Sequence, residues 1–523
     1  MRSVTTVTLA AVCAAPLLGC GTAGPEPARP SPDVAASATE APIVSGRPVA
    51  SMSPAPKAPR TPQIAPPETV IPSSLQTPNS RQASTARTST VKPKKALSQK
   101  WRTRIGLTTF RTTMVFADGK IIVGTHGASL NGKNESDDGV YVLDAATGKS
   151  SLKIASPRSG DMDVGGVAVD KGTVYFTGDA GLVATASLET GKIGWQATLQ
   201  GKVRAAPALA DLDGDAALDV VVGDEMGVLS ALSGADGKVL WSLKTGENDY
   251  NARGFIAAAA IADIDGDGKD DVVAGARDGV LRGIRGTDGR EFWEVKDTSG
   301  IHASPSIVDF DGDGRKEILA AWSYSDVAVL DLQTGRQLAA QSLSLDGGGI
   351  EGLFGSPVPL PGGGAAEGFL VAPSAWWGDE DGVTLAGPSK RVFRADAGRT
   401  TASAVVIDLD ADGYPEAITV SESGAVFALN GKGQRVELAT VAQKTEATPL
   451  LADVDGDGTF ELIVASGDGN LTCYSTGATS KPLLSRFRGD SPRNTGEIDV
   501  RMSCGMARRG AAPRRLGRGR VDE

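Results

Sequence analysis

Cysteine and histidine are nearly missing from this 523-residue chain, with 4 and 2 copies, and aromatic residues make up only 5% of it. So few cysteines exclude a disulfide framework. No Ser/His/Asp grouping or Cys/His dyad is evident, which leaves no nucleophilic centre to read from the sequence. No stretch sustains a 3.6-residue apolar period, so a helical fold is not expected, and the composition excludes both a collagen and a polytopic membrane protein. From Gly21 to about Lys100 there is no aromatic residue at all, while 15 of the 29 prolines fall there. Such a segment cannot bury enough apolar surface to offset chain entropy, and residues 20–100 are expected to form a disordered tether.

What is present is acid, glycine and repetition. The formal charge is −10, but residues 1–100 hold 11 bases against 4 acids and residues 501–523 hold 7 against 2. The middle therefore carries 35 bases and 57 acids, near −22, which argues against a nucleic-acid surface. The arginine-rich end over 497–523 reads as a solvated basic tail. At the other end, Arg2 precedes an apolar stretch over Val4–Ala15, too short to span a bilayer, and then Leu17-Leu18-Gly19-Cys20. This run resembles the lipobox of bacterial lipoproteins. The resemblance implies removal of residues 1–19, lipidation at Cys20, and attachment to a membrane of the cell envelope facing the periplasm or the exterior. An ordinary secretory signal is the alternative. Cys13 would leave with the signal, so only Cys473 and Cys504 would stay as thiols.

Between Trp101 and about Gly496 five acidic stretches align: Asp211 to Asp219, Asp263 to Asp271, Asp309 to Glu317, Asp408 to Glu416 and Asp453 to Glu461. Their starts are 52, 46, 99 and 45 residues apart, so the longest spacing conceals one unit, about 349–397, that lacks the pattern. Each stretch lies between short runs of Val, Ile, Leu and Ala bounded by Gly turns, which read as strands. Four strands per ~45–50 residues is the pattern of a β-propeller blade. Counting units gives an all-β propeller of eight four-stranded blades over 101–496, or seven if the unit at 349–397 is an insertion. Trp101 and the segment Phe487-Arg488-Gly489-Asp490 are expected to complete the last blade together.

A second signature recurs in Asp144-Ala-Ala-Thr-Gly-Lys149, Glu189-Thr-Gly-Lys-Ile-Gly-Trp195, Asp236-Gly-Lys-Val-Leu-Trp241 and Asp288-Gly-Arg-Glu-Phe-Trp293. Glycine supplies the positive φ of a hairpin turn, and the following Trp can pack on the neighbouring blade. These turns resemble the tryptophan-docking turns of quinoprotein-like (PQQ-like) propellers, while the acidic stretches resemble the FG-GAP or VCBS repeats of integrin α-subunits and bacterial surface proteins. Both resemblances imply the same architecture and leave the activity open.

The acidic stretches are the most specific chemistry in the chain. Ca2+ takes six to eight oxygens, and carboxylates at positions 1, 3, 5 and 9 of a tight loop can supply them. The candidate ligands are Asp211, Asp213, Asp215 and Asp219; Asp263, Asp265, Asp267 and Asp271; Asp309, Asp311, Asp313 and Glu317; Asp408, Asp410, Asp412 and Glu416; and Asp453, Asp455, Asp457 and Glu461. Up to five Ca2+ ions are expected, in a structural role; the alternative is a set of Asx-turns without metal. The loop at 211 is the weakest, with Ala216 where the others have glycine, and the loop at 453 has the full pattern. The unit at 349–397 has Pro357, a Gly362-Gly363-Gly364 run and only Glu367, so it cannot bind in the same way. Its Trp376-Trp377 pair serves either inter-blade packing or stacking on a sugar or partner.

Seven residues before each first Asp stand Arg204, Ile256, His302, Thr401 and Glu446. Scattered polarity at one register of a strict repeat suggests a polar funnel at the channel mouth, with Arg204, His302, Thr401 and Glu446 as ligand contacts, although His302 reads equally as a surface residue. No catalytic residue is assigned. The expected function is a non-enzymatic, lipid-anchored, calcium-stabilised module that binds an envelope protein or polysaccharide. The alternatives are a quinoprotein-like dehydrogenase or polysaccharide-active enzyme, and an outer-membrane assembly scaffold. PQQ is not expected, because no Cys-Cys pair is present and histidine is scarce. Replacing Cys20 by Ala should abolish palmitate incorporation and release the protein from membranes, as read by metabolic labelling and fractionation; a variant still labelled and membrane-bound would exclude the lipobox.

Overall fold

A computed structural model of the chain describes residues 90–91, 97–127, 138–155, 163–246, 253–323, 326–342, 353–361, 368–371, 382–386, 391–431 and 433–499. Cys20, most of the expected tether, Glu367, Trp376, Trp377, Cys504 and the basic tail beyond Asp499 lie outside these residues.

The inner three strands of each unit are largely buried, as in Ala208–Ala210, Asp219–Gly223 and Val228–Leu232, whereas the fourth alternates, as in Ile193–Thr198. That burial pattern explains why the sequence shows continuous apolar runs instead of a clean period of two. The described residues form eight sheets. They span 114–154, 164–198, 208–244, 260–296, 306–342, 358–395, 405–440 and 450–478, and we number these blades 1 to 8. Neighbouring strands within each sequential run are antiparallel, and in most blades a bulge interrupts the pairing of third and fourth strands, as at Ala231/Leu232 and Gly283/Ile284. A bulge increases local twist, which a propeller blade requires. The unit at 349–397 supplies blade 6, with its own four strands from Val358 to Ala395. It is therefore a blade and not an insertion.

The core lies at the seams between blades. One cluster joins Ile122, Val140 and Val142 of blade 1 to Val167, Val174 and Phe176 of blade 2, and another joins Val221 and Leu229 of blade 3 to Ile261 and Val272 of blade 4. Tryptophans extend these seams outward. Gly237 (φ 75°), Gly289 (φ 73°) and Gly335 (φ 67°) lie against the rings of Trp195, Trp241 and Trp293 of the preceding blade, so closely that a Cβ would clash. The indole Nε1 atoms of Trp195 and Trp241 donate to the carbonyls of Gly234 and Gly286 at 2.8 and 2.6 Å. Here glycine is needed twice over, for its positive φ and for the close approach.

Closure uses both ends of the propeller sequence, in two different places. Ser98–Arg104 pairs with Asn470–Ala478 as the outer strand of blade 8. Trp101 then docks on blade 1, with Nε1 donating to Ala145 O at 3.0 Å. The propeller thus begins at Ser98, and Thr90–Val91 adds a parallel edge to blade 7. The expectation that Phe487 to Asp490 shares the last blade is corrected: this segment runs inside the ring. Backbone N–H groups of Val406, Leu451, Val169, Leu209, Ile261 and Ile307 donate in turn to the carbonyls of Leu484, Ser485, Pro492, Arg493, Thr495 and Gly496, at 2.7–2.9 Å. The segment therefore visits the inner strands of blades 7, 8, 2, 3, 4 and 5 in ring order. It ends as Glu497–Ile498, parallel to Ile307–Val308. Arg488 is 5% exposed and donates to Pro305 O and Ala259 O, so it is a structural part of this hoop, while Asp490 is exposed.

Asn494 is the pin of the hoop. It is fully buried, its Nδ2 donates to Val167 O and Pro207 O at 2.8 and 2.9 Å, and its Oδ1 accepts from Arg486 Nη1 at 2.8 Å. Asn494→Ala leaves several buried groups without partners and is expected to destabilise the fold by about 2–4 kcal/mol, measured by urea unfolding. Trp195→Phe, which removes one hydrogen bond, should cost about 1 kcal/mol.

Candidate functional site

Each acidic loop joins the inner strand of a blade to the second strand. The ninth residue is already in the second strand: Asp219, Asp271, Glu317 and Glu416 begin theirs and Glu461 follows Phe460. Two left-handed residues shape each turn. They are Gly214 and Ala216, Gly266 and Gly268, Gly312 and Gly314, Ala411 and Gly413, and Gly456 and Gly458, with φ between 58° and 97°. Ala216 adopts the conformation of its glycine counterparts, and Ala411 does the same at position 4, each at about 1–2 kcal/mol of strain.

Three carboxylates of each loop converge. One oxygen each from positions 1, 3 and 9 lies within 4.8 Å of the others, in Asp211, Asp213 and Asp219; Asp263, Asp265 and Asp271; Asp309, Asp311 and Glu317; Asp408, Asp410 and Glu416; and Asp453, Asp455 and Glu461. The position-5 carboxylates Asp215, Asp267, Asp313, Asp412 and Asp457 stand outside these groups. Each accepts instead from the backbone N–H two residues on, at 2.7–2.9 Å. The ninth carboxylate has a further task, accepting from the backbone N–H of position 2, as from Leu212 at 2.8 Å, Ile264 at 3.0 Å and Phe310 at 2.8 Å. Burial, reinforced by the neighbouring aspartates, pushes Glu317 and Glu416 up to about 7 and raises Asp219 and Asp271 as well. A cation among three carboxylates relieves that repulsion, and oxygen-only donors suit Ca2+.

The loop at 453 differs. Lys100, from the N-terminal strand, places Nζ 2.6 Å from Asp455 Oδ2 and 3.1 Å from Glu461 Oε1. An ammonium thus already compensates two of its three converging carboxylates. Nothing in the loop's own residues announces this, because Lys100 is 355 residues from Asp455 in sequence.

The residues expected at the channel mouth divide. Ile256 and His302 line a pocket with Phe110, Arg111, Ser304, Phe354 and Phe487. His302 Nδ1 lies 2.7 Å from Ser323 Oγ, and its ring stacks on Phe354 at a centroid distance of 5.3 Å. Burial, followed by the charges of Arg277 and Arg111, pushes His302 down to about 4. Arg204 pairs with Glu225 at 3.1 Å and Asp179 at 3.4 Å. Burial raises Glu446, which accepts from the Phe110 N–H and thereby holds the Phe110-Arg111 turn. Thr401 is buried with no hydrogen-bond partner for its hydroxyl and does not line the pocket. Phe110, Arg111 and Phe354 were invisible to the repeat alignment, since the first lies in a unit without an acidic loop, as does its neighbour Arg111, and Phe354 belongs to the unit at 349–397. Cys473 is buried, and desolvation pushes its thiol up to about 12.

A histidine held below its ordinary value stabilises the fold fully above about pH 6.5, and that contribution is lost as pH falls toward 4. Stability measured between these values should therefore drop with a slope of up to about 1.4 kcal/mol per pH unit from this one group, and His302→Gln should remove that component.

The family model described as outer membrane protein assembly factor BamB matches residues 136–351. No curated protein matches the chain. Among solved structures, BamB from Moraxella catarrhalis is similar at 16% identity, with a TM-score of 0.52, covering 72% of this chain and 99% of that one. The quinohemoprotein alcohol dehydrogenase ADHIIG from Pseudomonas putida HK5 is similar at 15% identity, TM-score 0.50, covering 76% and 79%. A europium-containing methanol dehydrogenase is similar at 12% identity, TM-score 0.53, covering 72% and 87%. At such identities these likenesses establish the fold alone. The chain is a β-propeller similar to BamB and to the quinoprotein dehydrogenases.

Proposed function

We propose that this protein is a calcium-stabilised propeller of the bacterial cell envelope, lipid-anchored through Cys20, that binds a protein partner or polysaccharide without catalysing a reaction. The observation that carries the reading is the convergence of three carboxylates at the same register in five blades. In every loop the ninth carboxylate is also tied to the backbone of the second residue. Ligands committed in this way fasten an inner strand to its neighbour, which is a structural role for a metal and leaves no carboxylate in these groups for proton transfer. The match to the BamB family model over 136–351 supports a protein as the partner and, with it, an assembly-scaffold role.

A ligand that binds only the folded chain stabilises it by RT ln(1+[L]/Kd), so at a hundredfold excess over Kd each site adds about 2.7 kcal/mol. Chelation should therefore lower the melting temperature strongly, and metal analysis should find several calcium ions per chain. Asp311→Ala should lower the calcium-dependent part of the melt. Lys100 changes the ranking that the sequence alone suggests: Asp455→Ala should have the smaller effect, because its loop already holds an ammonium. An unchanged calorimetric melt with chelator, and less than one calcium per chain, would leave the loops as acidic turns. Crosslinking in envelope membranes and a glycan array separate the two partner classes, and a dye-linked assay with added PQQ tests the enzymatic alternative.

A further inference from the structure

The outer strand of blade 8, Ser98–Arg104, comes from the opposite end of the propeller sequence, and its pairing with Asn470–Ala478 slips between Gln99 and Trp101, which makes Lys100 the bulged residue. A bulge re-aims the side chain it carries. The same slip stands at the same register in blades 3, 4 and 5, where the extra residue is Leu240, Phe292 and Leu338. A position that is apolar in three blades with acidic loops is therefore a cation in blade 8. Its Nζ reaches the loop at 453, 2.6 Å from Asp455 Oδ2 and 3.1 Å from Glu461 Oε1. In the loop at 309, by contrast, Arg315 turns to Asp313 and Lys316 to Glu497.

The oxygens that Lys100 takes are the ones a metal would need. Glu461 Oε2 already accepts from the Val454 N–H at 3.1 Å, and Asp453 gives its two oxygens to the N–H groups of Gly456 and Gly458 at 2.8 and 3.1 Å. Glu461 Oε1 and Asp455 Oδ2 are left, and both face the ammonium. A calcium ion bound to them at about 2.3–2.6 Å would stand within a few ångströms of Nζ, and two cations that close repel each other. We propose that Lys100 is the resident cation of the loop at 453: its ammonium takes the place that a metal has in the calcium reading of the loops at 211, 263, 309 and 408, and it keeps calcium out of this one. The strand that closes the ring is then fastened to blade 8 without metal, so closure does not depend on the ions that hold the other loops. The inference rests on the calcium reading of those four loops and lowers its number of ions from five to four.

The test counts calcium per full-length chain by equilibrium dialysis and metal analysis, and follows each protein's melt in calcium and in chelator. Asp455→Ala should hold as many ions as wild type, because its loop holds none; one ion fewer would overturn the inference, and this comparison does not require any Lys100 variant to fold. Lys100→Met removes the charge and leaves an apolar side chain, as at the same register in blades 3, 4 and 5. It should bind one calcium more than wild type, and adding Asp455→Ala to it should abolish that extra ion. Its melting temperature should also shift further between chelator and calcium, since the buried Glu461 carboxylate is left without its ammonium until a metal replaces it. In chelator, hydrogen exchange over Ser98–Arg104 should stay slow in wild type and quicken in Lys100→Met. Equal, non-zero counts in wild type and Lys100→Met overturn the inference and leave the calcium reading standing. A wild type without calcium overturns the calcium reading; in that case an ion gained by Lys100→Met still supports the role of Lys100, and none gained overturns both.

Discussion

The inner strand of each blade has one edge that no strand of its own blade covers. A buried backbone N–H without a partner is among the costliest defects in a protein, so this inner edge must be answered. The hoop over 483–498 answers it for six blades, giving one carbonyl to each of Val406, Leu451, Val169, Leu209, Ile261 and Ile307. Blade 2 receives a side chain as well: Thr113 Oγ1 accepts from Val167 N at 2.7 Å and donates to Val167 O at 2.9 Å. Ala205, Ala206 and Ala258, just before the inner strands of blades 3 and 4, form a small buried cluster of their own.

The acidic loops apply the opposite strategy at the ends of those strands. Instead of neutral carbonyls meeting N–H groups, three carboxylates meet one another, and burial, reinforced by the neighbouring aspartates, raises Glu317 and Glu416. The loop at 453 borrows Lys100 from the strand that closes the ring. The closure strand and the last acidic loop are thereby coupled, and the N-terminal strand of the propeller is held by an ion pair as well as by its ladder with Asn470–Ala478.

The channel mouth shows how a repeat fold acquires an individual site. The alignment register that scatters Arg204, Ile256, His302, Thr401 and Glu446 does contribute to it, but unequally: Ile256 and His302 line the pocket, Glu446 supports the turn of Phe110, Arg204 is consumed in ion pairs, and Thr401 is elsewhere. Arg111, which also lines the pocket, comes from a blade without an acidic loop.

What the sequence determined by itself was everything local. Short apolar runs between Gly and Asp turns specify strands, the Asp-x-Asp spacing specifies which oxygens can converge, and a Gly before Trp specifies a docking turn, because each depends on φ preferences and side-chain reach over fewer than about a dozen residues. The blade count was legible for the same reason, down to the irregular unit over 358–395. What only the tertiary structure decided are the encounters between distant segments. These are Lys100 with Asp455, Arg488 with Pro305 and Ala259, and Arg111 with Phe354 and His302. No spacing rule reaches them, since ring closure brings together residues whose separation along the chain carries no information about their distance in space.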